Sequence, residues 1–261
     1  MNTQEALGFP FKDAKWVIKL LIGGGLSFVV LICPIVFVQM AVAGTFSKVF
    51  STILFLALLV AYLAPLGYAF QILRDAAQAK EAVLPEWTQW DVLFKDGLMV
   101  FAVSLVYGIL IGLVSCIISL LTVKVPVLGS IFSLLQVLIG ALILIAGPYI
   151  AVALAKFSET KNIASAFKFM EILGELKSKC AEYISVSLMV LGVVYVIKVS
   201  LGLNLFQHMM QYRSYFMGHA SFPLVSLLSP FVMFWLLLVV SRMYGLIYSR
   251  KSEGSCCQSQ G

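Results

Sequence analysis

Charged side chains are scarce in this sequence, and histidine is nearly missing. Only 11% of the 261 residues are Asp, Glu, Lys or Arg, and there are two histidines. Ordinary globular domains carry about 25% charged residues. Apolar residues make up 61% of the chain. This composition excludes an ordinary soluble domain and indicates a protein that is embedded in a membrane.

The common catalytic and nucleotide-binding motifs are also missing. The sequence has no phosphate-binding loop, no H-E-x-x-H, no G-x-S-x-G and no dinucleotide fingerprint after a strand. Three carboxylates, Glu86, Asp91 and Asp96, lie close together in sequence, but no candidate nucleophile accompanies them. We therefore predict no catalytic residues and no cofactor. A membrane enzyme that acts on lipid through this acidic cluster is kept as a third hypothesis.

The cysteines and histidines show no metal-ligand spacing, so we predict no metal site. His208 and His219, with nearby methionines, are kept as an alternative soft-metal site that matches no fixed motif. Cys256 and Cys257 lie on the polar tail, where acylation is the alternative to a simple disordered end.

Long apolar runs set the fold class. Six windows reach the length of roughly 18 residues that a bilayer-spanning helix needs. They cover residues 20–42, 49–73, 98–121, 127–155, 183–203 and 222–246. The predicted fold is all-α: a polytopic bundle of six transmembrane helices in three hairpins. Residues 1–250 form one transmembrane domain, and residues 251–261 form a disordered cytoplasmic tail.

The basic residues predict the orientation. Fourteen of the 18 Lys and Arg residues flank one set of span ends, and only Lys48, Lys124, Lys198 and Arg213 flank the other. By the positive-inside rule, we expect both termini on the cytoplasmic side of the membrane. The basic residues are dispersed along the chain, so the net charge of +6 does not indicate nucleic-acid binding.

The first apolar run has an alternative interpretation as a cleaved signal peptide. Ala41-Val42-Ala43 before Gly44 resembles a small-residue cleavage site. The run is about 20 residues long, whereas a signal peptide has an apolar core of about 7–15 residues. We therefore expect a retained first helix.

The connection between the second and third spans predicts a short amphipathic helix at the membrane surface. Pro85 and Glu86 suit a helix start. Trp87, Trp90 and Phe94 then recur on one face, with Gly97 as the predicted end. Such a helix is either an anchor that sets the depth of the spans or a docking surface.

The connection between the fourth and fifth spans predicts a second amphipathic helix over residues 162–178. Asn162 suits its N-cap. An apolar stripe of Ile163, Phe167, Met170 and Leu173 or Gly174 opposes Lys161, Lys168, Glu175 and Glu182, which recur every seven residues.

A loose internal repeat joins these features. Each even-numbered span carries a proline followed by an aromatic residue, as in Pro65 with Tyr68, and a basic residue at its cytoplasmic exit, as at Arg74. Pro34, Pro65, Pro148 and Pro230 are predicted helix kinks. Broken helices also mark transport sites, so a pathway near Pro65, Pro148 and Gln136 is kept as the second hypothesis.

The stretch from Gly67-Tyr68 through Arg74 and Leu84-Pro85-Glu86-Trp87 to Asp96-Gly97 resembles a prokaryotic membrane-protein family, catalogued as domain of unknown function 4013. The similarity extends to Phe9–Phe11 and to Ala166-Phe167 ahead of Glu171. The resemblance implies a cytoplasmic-membrane protein and implies no activity.

The first hypothesis for function is therefore a non-enzymatic membrane protein that binds a partner or organises the membrane. Its expected partners are the lipid bilayer and either another protein or a second copy of the chain. The candidate docking residues are Tyr68, Arg74, Pro85, Glu86, Trp87, Trp90, Asp91, Phe94, Asp96, Gly97 and Phe167.

Overall fold

The structure is a computed structural model that describes residues 7–42, 48–81, 83–124, 146–200 and 228–256. The described part is helical and contains no strand. Its seven helices are α1 (Trp16–Val42), α2 (Lys48–Ala77), α3 (Trp90–Lys124), α4 (residues 146–160), α5 (Phe169–Ser178), α6 (Cys180–Ser200) and α7 (Ser229–Cys256). Short 3-10 turns at Phe9–Lys12 and Ile163–Phe167 precede α1 and α5.

Helices α2 and α7 form the centre of the bundle. Helix α2 packs against α1, α3 and α7, and α7 packs against α1 and α6 as well. Gly245 of α7 lies so close to α2 that an added Cβ would overlap the Ala76 side chain and the Leu73 carbonyl. The two central helices therefore touch through backbone, as small residues permit in membrane bundles.

Among the described residues, three helices are long and apolar enough to cross a membrane: Thr52–Ala77, Trp90–Val114 and Pro230–Arg250. A fourth span results if α5 and α6, which meet at a bend of 85°, count as one broken span. The described part of α1 adds a shorter apolar helix, Trp16–Val29. Residues 127–145, 201–203 and 222–227 of the predicted spans lie outside the described residues.

Several helices extend beyond the apolar windows that predicted them. Helix α3 begins at Trp90, eight residues before the expected start, and α2 continues to Ala77. Helix α7 continues to Cys256, within the segment predicted to be a tail. Hydropathy marks only the stretch that suits hydrocarbon, whereas the added turns of α2 and α3 also bury side chains such as Ala77 and Leu93 within the protein.

The buried core lies at one end of the bundle, which we call the connector end. It comprises the N-terminal segment before α1, residues 78–89, residues 161–168 and the helix ends that lead into them. Tyr68, Leu93, Ala166, Tyr183 and Ile247 belong to one buried cluster there.

Candidate functional site

The connection between α2 and α3 is folded back under α1 by a buried lysine. Lys19 is 4% exposed, and its ammonium lies 2.8 Å from carboxylate oxygens of both Asp13 and Glu86. It also donates to the carbonyl of Leu84 at 2.8 Å. A buried ammonium needs this set of partners because it has left water. Lys19 thus fixes the path of the Leu84–Trp87 segment.

The hydrogen bond from Lys19 also affects the acid that it holds. Together with smaller contributions from Lys15, it lowers the pKa of Asp13 below the usual value of 3.8, against the opposing effect of burial. Folding of the N-terminal segment therefore favours the carboxylate form of Asp13 over the protonated form.

An aromatic stack completes this first connection. The rings of Tyr68 and Trp87 are stacked with centroids 4.3 Å apart. The Tyr68 hydroxyl donates to the Pro85 carbonyl at 2.9 Å, and the Trp87 indole N–H donates to the Lys19 carbonyl at 3.2 Å. Both polar atoms of the stack are satisfied inside the protein, as buried Tyr and Trp require.

The predicted surface helix of this connection is therefore wrong. Residues 83–89 are irregular, and a single helix begins at Trp90 and continues through Gly97 to Lys124. Trp87 is buried rather than available for docking, because its ring packs against Tyr68 and Phe234. Trp90 and Asp91 are exposed, and Phe94 is half-buried beside Trp90.

Gly97 has a different role from the predicted helix end. An added Cβ at Gly97 would overlap the Leu63 carbonyl, and one at Gly67 would overlap the Leu93 carbonyl. Helices α2 and α3 thus cross in direct backbone contact. Next to this crossing, Arg74 bonds Asp96 at 3.3 Å and lies over the ring of Phe70.

The three carboxylates on which the enzyme hypothesis depends do not share one cationic partner. Glu86 pairs with Lys19, Asp96 pairs with Arg74, and Asp91 is exposed in the first turn of α3. Two of the three carboxylates thus have separate cationic partners, which does not favour a paired acid and base.

The second connection runs along α3 before it enters α5. The Tyr107 hydroxyl of α3 donates to the Ala166 carbonyl at 2.7 Å, and the Tyr149 hydroxyl of α4 donates to the Phe169 carbonyl at 3.1 Å. The Phe167 ring lies 6.2 Å from the Tyr107 ring. Two tyrosines, each from a different helix, therefore hold this backbone in place.

The predicted helix over residues 162–178 is correct only in part. The Asn162 side chain accepts from the Ala164 N–H, as expected for a cap. It caps a short 3-10 turn, however, and the α-helix begins at Phe169. The buried face of α5 is not the predicted apolar stripe. Ile172 and Leu176 are buried, whereas Met170 of the predicted stripe is 82% exposed.

The seven-residue charge pattern does not form one line, since the helix breaks at Lys168 and again at Lys179. Lys156 of α4 instead pairs with both Glu171 and Glu175 of α5. Lys179 donates to the Ile247 carbonyl at 2.6 Å. The charges of this connection thus fasten α5 and α6 to α4 and α7.

The four prolines predicted to kink helices occupy different positions relative to the ends of their helices. Pro65 lies inside α2. Pro230 lies in the first turn of α7, where a missing N–H costs no intrahelical hydrogen bond, so it does not kink the described helix. Pro148 is buried near residue 146, where the description of α4 starts. Pro34 lies within α1, in a part whose side chains are outside the described residues.

A basic cleft opens at the connector end between α2, α3 and α4. Its volume is about 790 Å³. It is lined by the cations Arg74, Lys80, Lys95 and Lys161, by Asp96, by the polar residues Gln78, Ser158 and Asn162, and by Phe70, Met99, Phe157 and Ile163. A second cavity of about 560 Å³ lies between α6 and α7, lined by Glu182, Ser185, Val186, Met189, Met243, Ile247 and Arg250.

Sequence reasoning missed two cations and a tyrosine that organise this end. They are Lys19, Arg242 and Tyr107, none of which the sequence patterns single out. Arg242 donates to the carbonyls of Lys80 and Glu81 and lies 5.7 Å from the Phe9 ring centre. In the sequence, the two cations and the tyrosine stand out only as polar residues inside or beside an apolar run.

The soft-metal candidates His208 and His219, like Gln136, lie outside the described residues.

In its described part, this is an all-helical protein with three or four helices suited to crossing a membrane, which aromatic and ionic contacts join at one end. The chain belongs to the DUF4013 family, whose description is a protein of unknown function and whose model matches residues 50–206. The expected family is thus confirmed, and the match includes the first connection, the second connection and the basic cleft. The similarity expected at Phe9–Phe11 lies outside the matched residues. No curated protein and no solved structure matches the chain.

Proposed function

We propose that this protein is a non-enzymatic, multi-pass component of the cytoplasmic membrane that organises the membrane or binds a partner through its connector end. In this proposal six spans form three hairpins, and both termini and both long connections lie on the cytoplasmic side. The basic residues of the connections support this orientation.

The observation that carries the proposal is the uneven distribution of packing and charge. Ion pairs and interhelical tyrosine bonds occupy the connector end. The opposite stretches of the same helices expose large apolar side chains, such as Ile53, Leu56, Ile109 and Leu113. Lipid tails satisfy such an apolar surface, so those stretches serve as anchor. The structured, polar end is then the part that meets other molecules.

Two exposed charges at the connector end provide the test. Asp91 is exposed at the start of α3, and Lys168 is 56% exposed beside α5. Reversal of either charge, in Asp91→Lys or Lys168→Glu, should weaken a cellular association without unfolding the helices. Exposed surface charges contribute little to stability, so the folded protein should persist.

The measurement is native mass spectrometry of the protein extracted with its surrounding membrane. The wild type should carry a stoichiometric protein partner or a second copy, and the two charge-reversal variants should lose it. Ile109→Leu, in the exposed apolar stretch, is the control that should retain it. A wild type that carries neither a protein partner nor a second copy, or variants that keep theirs, would contradict the proposal.

The transport hypothesis receives less support. It places a cavity near Pro65, Pro148 and Gln136, but neither of the two cavities above is lined by Pro65 or Pro148. Both prolines are buried. The hypothesis therefore stays an alternative to the proposed function.

A further inference from the structure

The basic cleft has a surplus of positive charge that the described part of the protein does not neutralise. Arg74 is paired with Asp96, and Lys80 with Asp75 at 3.1 Å. Lys95 and Lys161 line the same cleft. Lys95 interacts with Asp96 at longer range, but within the described residues neither lysine forms a contact ion pair. The cleft therefore keeps two unpaired ammonium groups at its edges.

The ends of α2 and α4 are shaped alike where they supply two of the lysines. Ala79 and Lys161 both have a φ of 53°, in the left-handed region. The Lys80 N–H bonds the Asp75 carbonyl at 2.9 Å, and the Lys161 N–H bonds the Phe157 carbonyl at 2.8 Å. Each helix thus ends in a left-handed cap, a conformation that disfavours side chains other than glycine. These caps direct the chain so that Lys80 and Lys161 both line the cleft.

The wall of the cleft is apolar. The rings of Phe70 and Phe157 are stacked with centroids 5.9 Å apart, and Met99 and Ile163 also line the space. A small hydrophilic anion does not use such a wall. An amphiphile uses both parts, since its headgroup meets the lysines and its apolar portion meets the rings.

The position of the cleft agrees with this chemistry. Its α2 and α3 residues lie toward the connector ends of two membrane-length helices, Thr52–Ala77 and Trp90–Val114. In the proposed orientation this is the side of the anionic inner leaflet. Basic pockets between helices on that side suit lipid headgroups.

We propose that this cleft binds the phosphate-bearing headgroup of an anionic membrane lipid, with Lys95 and Lys161 contacting the phosphate and the Phe70–Phe157 pair contacting the apolar part. The inference rests on the proposed function only for the position of this end at the membrane. Neither Asp91 nor Lys168 lines the cleft, so failure here leaves the association test unchanged.

The test compares two double variants after reconstitution into lipid discs. Lys95→Gln with Lys161→Gln removes the unpaired charges of the cleft. Lys15→Gln with Lys177→Gln is the matched control, because both lysines are exposed and neither lines the cleft. Discs contain either phosphatidylglycerol or neutral phosphatidylcholine, and native mass spectrometry counts the lipid retained after the disc is stripped.

We expect wild type and control to retain one phosphatidylglycerol, and the cleft variant to retain it at least about tenfold more weakly. Lys95→Arg with Lys161→Arg should restore retention. Equal retention in cleft and control variants, or equal retention of phosphatidylcholine, would overturn the proposal. Displacement of the lipid by millimolar inorganic phosphate would show a free-phosphate site and would also overturn it.

A separate measurement excludes a merely structural role. A lysine at a helix C-terminus, such as Lys161 after α4, also stabilises the helix end. Unfolding temperatures are therefore measured in phosphatidylcholine discs, and lipid retention is compared at temperatures where both variants are folded. If the cleft variant unfolds at a lower temperature than the control but then retains phosphatidylglycerol as the control does, the lysines only stabilise the fold and the proposal is wrong.

Discussion

The two halves of α3 both carry many apolar side chains, but the surroundings of these side chains differ strongly. From Trp90 to Tyr107, the side chains of Leu93, Val103 and Tyr107 are buried. From Gly108 to Ile117, the described side chains are almost all exposed, including Ile109 and Leu113. Helix α2 shows the same contrast across Leu63.

This contrast shows two surroundings that keep the apolar side chains of a helix away from water, namely neighbouring helices and lipid. At the connector end the helices bury one another's apolar side chains, and their backbones are in contact at Gly67 and Gly97. At the opposite end the exposed apolar side chains suit lipid. Because lipid tails are as apolar as leucine, association there gains little from burial alone. Substitutions should therefore act very differently at the two ends.

The largest expected effect is the loss of the buried lysine at the connector end. In Lys19→Met, the carboxylate of Asp13 and the carbonyl of Leu84 lose a common donor. We expect the free energy of unfolding to fall by about 3 kcal/mol, because a buried charge is left without its partner. Thermal unfolding in lipid discs measures this. The control Lys15→Met changes an exposed residue of the same segment. A loss below that of the control would show that the segment is held by its apolar contacts.

A pair of glycine substitutions compares the two halves of α3 directly. Gly97→Ala places a Cβ against the Leu63 carbonyl and should cost about 2 kcal/mol by overpacking. Gly108→Ala, on the same helix, meets nothing within 4 Å. It should be neutral or stabilise by up to about 1 kcal/mol, since alanine favours the helix. Equal unfolding temperatures for the two variants would show that the helix crossing is not tight.

A gain in stability is expected at the end of α2. Ala79 has a left-handed φ of 53°. Ala79→Gly removes the steric cost of that conformation and should stabilise the protein by about 1 kcal/mol. Ala155→Gly, within α4, is the opposite control and should destabilise by a similar amount or more. Both are read from thermal unfolding, and a loss of stability in Ala79→Gly would contradict the left-handed cap.

The smallest expected effect is a dependence on acid. Because the pKa of Asp13 is lowered in the folded state, its contribution is present above the ordinary value of 3.8 and is lost as the pH falls through the lowered value. The expected loss is less than about 1 kcal/mol, because burial of Asp13 opposes the effect of the Lys19 hydrogen bond on its pKa. Unfolding temperatures of wild type and Asp13→Asn should therefore converge in acid. A difference that stays constant would show that the charge of Asp13 is not involved.

Part of the candidate site was readable from single residues and their spacing. Asn162 was recognised as a cap because a side-chain oxygen before a helical turn accepts a free N–H locally. The Leu84-Pro85-Glu86-Trp87 segment was recognised as the distinctive part of the first connection. Its burial was not, because a tryptophan stripe suits a membrane surface and a protein interior equally well.

The all-helical class and the approximate positions of the described helices follow from the lengths of the apolar runs, and the family was found from the resemblance of the Gly67–Gly97 stretch. The folded arrangement was needed to see which apolar faces are buried, which acid each cation meets, and that Lys95 and Lys161 share a cleft with Arg74. The reason is physical: hydropathy reports how well a segment avoids water. It does not report whether protein or lipid replaces that water, and pairings between distant helices leave no periodic signal in the chain.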